Sequence, residues 1–153
     1  MAYCTAEEVI DMLKPDMYGY IVGDAEEEPE DEKLKERILL LAADAAADAQ
    51  AEIDGYLAKR YDVPFTRVPK VVIKFAKDIA LYNLVSRKGI DEGDREKTYL
   101  TRYNAAVAFL TKVAEGKVDL DTGESHTTQT AAANGFSMRS EQRIFSRSSM
   151  RGW

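Results

Sequence analysis

The sequence predicts an all-α protein, a bundle of about four helices with one long central helix, followed by an extended C-terminal arm. Three observations predict it. Apolar residues recur at steps of three and four through four separate stretches, the spacing that lines one face of a helix. All four prolines fall between those stretches. After Leu120 the composition turns small and polar, and the periodicity stops.

The first helix has a start signal in Thr5-Ala6-Glu7-Glu8, a capping box in which the Thr5 hydroxyl accepts from the Glu8 amide and Glu8 reaches back. Val9, Ile10 and Leu13 supply its apolar face, and Pro15 marks its end. Residues 16–31 read as a loop, with Gly19, Gly23, Pro29 and the acidic run Glu26-Glu27-Glu28. From about Asp31 to Tyr61 a long helix is expected, with Leu34, Ile38, Leu41, Ala45, Ala49, Ile53 and Leu57 on one stripe. Its alanine-rich middle, residues 42–49, combines the best helix former with side chains small enough for another helix to approach closely. Gly55 costs about 1 kcal/mol in a helix interior, which points to a close contact or a bend there.

Val63-Pro64 and Val68-Pro69 bracket a short extended loop, because the residue before proline avoids the helical region. Pro69 suits the first turn of a third helix. Val72, Phe75, Ile79, Tyr82 and Val85 form its face, and Gly89 stops it after about Arg87. A fourth helix spans roughly Asp94 to Glu115, with Tyr99, Tyr103, Val107, Leu110 and Val113 inward and Gly116 just past its end. The organisation is then a helical domain over 1–120, a linker over 121–135 and a docking arm over 136–153.

Charge is spread unevenly. Residues 134–153 carry Arg139, Arg143, Arg147 and Arg151 against Glu141, a balance of +3; taking that from the total of −6 leaves −9 on the rest. A body that acidic repels nucleic acid over most of its surface, while the tail suits an acidic partner. The alternative reading is a DNA-packaging or regulatory protein that binds nucleic acid through this basic tail. No apolar run approaches the roughly 20 residues of a membrane helix, so no membrane partner is expected. One cysteine makes no internal disulfide, consistent with assembly in a reducing cytoplasm.

Catalysis is not expected. His126 lies in the linker and Cys4 near the start, with no spacing that makes a nucleophile pair or a zinc site. There is no phosphate-binding glycine loop. No metal and no cofactor are predicted. Asp44, Asp48 and Glu52 fall at i, i+4 and i+8, stacking three carboxylates along the long helix. They are read as a solvated face first, with pairing to a neighbouring subunit, a channel wall or a metal site as the alternatives. Tyr56, Tyr82, Tyr99 and Tyr103 are expected in core or interface packing with their hydroxyls near the surface.

The arm interleaves Phe136, Met138, Ile144, Phe145, Met150 and Trp153 with Arg139, Arg143, Arg147 and Arg151. Ordering eighteen backbone residues costs more entropy than six buried apolar side chains return. The arm therefore orders only against a partner that adds hydrogen bonds and carboxylates.

The segment Ala51-Glu52-Ile53-Asp54-Gly55-Tyr56-Leu57, then Arg60-Tyr61, Val63-Pro64, Val68-Pro69 and Asp78-Ile79-Ala80-Leu81-Tyr82, resembles the Mu-like phage head–tail connector family, long catalogued as a domain of unknown function. Met1 to Thr5 and the helix closing at Gly116 also look like it, and the likeness covers about residues 1–120. The resemblance implies a virion structural protein of the neck: a homo-oligomeric ring, dodecameric by family analogy, beneath the portal protein. Such a ring extends the DNA channel, lets DNA pass without sequence-specific binding, and meets the next neck or tail component. By the same analogy the arm, outside the region of likeness, docks on the portal; on physical grounds, because DNA slides past carboxylates, Asp44, Asp48 and Glu52 are candidates for the wall of such a channel.

Overall fold

The computed structural model describes residues 2–23, 32–87, 89 and 94–122, with the backbone alone for 94–96. Among the described residues five α-helices follow one another: α1 Ala6–Ile10, α2 Tyr18–Val22, α3 Glu32–Leu57, α4 Lys70–Ser86 and α5 Asp94–Ala114. The fold is the expected all-α bundle, built around the long helix α3.

The capping box forms as expected. The Glu8 amide donates to Thr5 Oγ1 at 3.3 Å and the Thr5 amide to Glu8 Oε2 at 3.1 Å. The helix then ends at Ile10, sooner than Pro15 implied, because Met12 and Leu13 already bond three residues back. Pro15 instead opens a 3₁₀ turn, Pro15–Met17, that runs into α2. This corrects the loop expected at 16–31 over residues 16–22; residues 24–31 lie outside the described residues. Met17, Tyr18, Ile21 and Val22 bring an apolar face inward, Ile21 is buried, and Gly23 closes the turn at φ 89°. The glycines that read as breakers serve as a helix position and a left-handed cap.

α3 buries Leu34, Ile38, Ala42, Ala45, Ala46, Ala49, Ile53 and Leu57. Its alanines let α4, its most extensive neighbour, come close. The close contact considered at Gly55 is not found: a Cβ there meets nothing within 4 Å, so this glycine faces open space. α4 is enclosed on nearly every side. Asp78, Ile79, Ala80 and Leu81 are four consecutive buried residues, which covers the whole helical circumference. Its apolar periodicity alone implies one buried face. Pro69 stands just outside α4 as its extended N-cap residue.

α5 packs on α4 and α3 through Ala106, Leu110 and Val113, with Phe109 against Phe75 at 5.0 Å between ring centres. Its end is a Schellman motif: Gly116, at φ 80°, donates to the Val113 carbonyl and Lys117 to that of Lys112. The chain then turns back as a strap whose Leu120 and Thr122 are buried.

Candidate assembly surfaces

Two ends of the bundle differ in kind. At the end where α3 finishes, polar side chains lock three distant parts of the chain together. The Tyr3 hydroxyl donates to Asp54 on α3 and accepts from the Phe65 amide at 3.2 Å. The Tyr61 hydroxyl accepts from the Leu120 amide at 2.9 Å. Arg60 donates to the carbonyls of Val113 at 2.7 Å and Val118 at 3.3 Å, and pairs with Asp119 at 2.7 Å. The guanidinium thus bridges the Val113 carbonyl in the last turn of α5 to the Val118 carbonyl in the strap beyond it, and opposes the negative end of the helix dipole. Asp54, Arg60 and Tyr61 are among the residues that carried the family likeness, and their work here is architectural.

The acidic stripe on α3 is not uniform. Asp44 and Asp48 are exposed, whereas Glu52 is half-buried and accepts a hydrogen bond from Tyr103 at 3.0 Å. The Tyr103 ring stacks on Tyr82 at 4.3 Å between ring centres. Burial, with the Glu52 carboxylate beside it, pushes the Tyr103 hydroxyl up to about 12. Glu52 is thus tied into a tyrosine cluster, and two carboxylates of the three face outward.

One buried carboxylate is not marked by the sequence pattern. Asp78 is 5% exposed, with Lys74 at 3.1 Å and Arg102 at 3.8 Å. The i, i+4 step from Lys74 to Asp78 was available in the sequence, but burial of a charged position on α4 was not. Cys4 is buried, and burial and Glu8 push its thiol up to about 11, the reverse of an activated nucleophile. Among the described residues no group of three metal-capable side chains occurs. No described helix is long and apolar enough to cross a membrane.

At the opposite end, α1, α2 and the start of α3 leave an open cleft of about 420 Å³. Ile10, Tyr18, Ile38 and Leu39 give it apolar walls, with Glu7, Asp11, Lys35 and Glu36 around them. Leu39 is 40% exposed and the adjacent Leu40 63%, two of the three exposed large apolar residues among those described; the third is Tyr20. Sequence reading missed this surface because Leu39 and Leu40 sit inside a run, Ile38 to Leu41, that reads as core throughout. The arm residues Phe136 to Trp153, and His126, lie outside the described residues.

The model of the family described as Bacteriophage Mu, Gp36 matches residues 3–139. That reaches past the expected limit near 120, through the linker and into the first residues of the arm. The chain is similar to the Mu-like prophage FluMu protein gp36 of Haemophilus influenzae, 30% identical over 72% of this chain and 73% of that one. It is also similar to gene product J of Escherichia phage Mu, 29% identical over 70% of this chain and 72% of that one.

Proposed function

The chain belongs to the bacteriophage Mu Gp36 family, and from that premise we propose that it is a head–tail connector: a virion structural protein that forms a ring below the portal, extends the DNA channel and joins capsid to tail. The observation that supports this best is the contrast between the two parts of its surface. The body closes its own core with buried side chains and a locked end, yet keeps Leu39 and Leu40 exposed on its longest helix. Exposed leucines beside a finished core fit a subunit that completes itself by assembly.

Asp44 and Asp48 suit the wall of a DNA channel or a contact between subunits. Each Lys or Arg on such a wall would hold DNA through released counterions, and carboxylates let it slide. The arm over 136–153, with its arginines and large apolar residues, supplies the contact with the portal. A chain lacking residues 136–153 is expected to keep its helical circular dichroism and to leave heads without tails in an in vitro joining assay. Normal joining by that chain overturns the arm's role. The second reading, nucleic-acid binding, is favoured only by the four arginines of the tail. It requires a duplex gel shift that weakens steeply with salt.

A further inference from the structure

The geometry points to a seat for the arm on the protein itself: the cleft between α1, α2 and α3 binds residues 136–153 of a second copy of this chain. Cleft and arm are complementary in both of their characters. The rim carries Glu7, Asp11 and Glu36 against one Lys35, and the walls are Ile10, Tyr18 and Leu39. The arm carries four arginines against one glutamate and six large apolar residues. Its arginines recur at every fourth position, from 139 to 151. Carboxylates on an apolar surface are what such a segment needs, since each guanidinium gains a charge-assisted bond while the rings leave water.

The fold places tether and cleft at opposite ends of the body. The strap before the arm is held by Leu120 against Tyr61, beyond the end of α3. The cleft lies at Ile38 and Leu39. At 1.5 Å per residue along α3, those two points are about 28 Å apart. The thirteen residues from 123 to 135 span at most about 45 Å, so a chain spends most of that reach returning to its own cleft. A copy set head to tail brings its cleft to the tether directly. Such a contact joins unlike surfaces, and its repetition closes into a ring when the rotation allows. The inference rests on the connector reading only in treating 136–153 as a docking segment, and the portal then competes for the same arm at assembly.

The test uses the purified full-length chain with a photo-reactive benzoylphenylalanine in place of Phe145, made with light and with heavy nitrogen and mixed before illumination. Cross-links are expected between heavy and light chains, joining position 145 to peptides from residues 7–18 or 35–40. Links confined to single chains, links to other peptides, or none at all would overturn the proposal. The exposed pair D11K/E36K is expected to cut the cross-link yield at least tenfold, and R143E/R147E in the partner chain to restore it. Failure of that restoration also counts against the seat. No other phage component is present, so this result and the head–tail joining result stand or fall separately.

Discussion

The Tyr61 hydroxyl accepts the backbone N–H of Leu120 at 2.9 Å, across 59 residues of chain. This bond, with Arg60 on the carbonyls of Val113 and Val118, holds the strap against the end of the body. The tyrosine stands in the turn after α3, and the leucine is buried with it.

Tyr61→Phe removes that acceptor and leaves a buried amide without it, a loss of about 1–3 kcal/mol. The expected result is a lower urea midpoint with an unchanged slope. Amide hydrogen exchange at Leu120 should quicken well beyond that of the α4 core.

Arg60→Met should cost a similar amount, about 1–3 kcal/mol, because the Val113 carbonyl of α5 and the Val118 carbonyl of the strap lose a charged donor. Arg60→Lys should recover only part of it, since an ammonium cannot reach two carbonyls and a carboxylate from one planar fork. Thermal melts of the three proteins check the order. The exposed Asp119 contributes little, and Asp119→Asn should fall close to wild type.

Asp78 predicts an asymmetry. Its cationic partners are largely in water, with Lys74 67% and Arg102 48% exposed, whereas the carboxylate is 5% exposed. Asp78→Asn frees two cations that water can solvate, and should cost about 1–3 kcal/mol. Removing both cations, as K74M/R102M, strands a buried charge and should cost more, about 3–5 kcal/mol. Equal losses in chemical denaturation would show that the carboxylate is not held by these two residues.

Cys4 makes the alkaline side sensitive. Its thiol is pushed up to about 11 from an ordinary value of 9, by burial first and then by Glu8. The unfolded chain therefore loses this proton at lower pH than the folded one. The stability contribution is fully present below pH 9 and is lost as pH rises from there through 11. Cys4→Ala should flatten the fall of the unfolding free energy in that window, and native Cys4 should resist thiol reagents at pH 8 until urea is added.

Helix type and helix order were legible in the sequence because both depend on local spacing. The stripe from Leu34 to Leu57, the Thr5 cap, the stop at Gly89 and the left-handed Gly116 each follow from a few neighbouring residues. The same local logic failed where glycine stood in a short apolar turn, and α2 was read as loop. At Gly55 it allows a close contact or a bend, and a Cβ there meets nothing within 4 Å, which removes the contact.

What the sequence by itself determined was the all-α class, the long α3 and the opposite charges of body and tail. Only the tertiary structure decided which side of each helix meets another. It enclosed α4 enough to bury Asp78, turned Glu52 toward Tyr103, and left Leu39 and Leu40 outside in a run that reads as core. The physical reason is that burial depends on the whole circumference of neighbours around a helix. Periodicity reports one apolar face, and neither the second face of α4 nor the uncovered flank of α3 is written in local spacing.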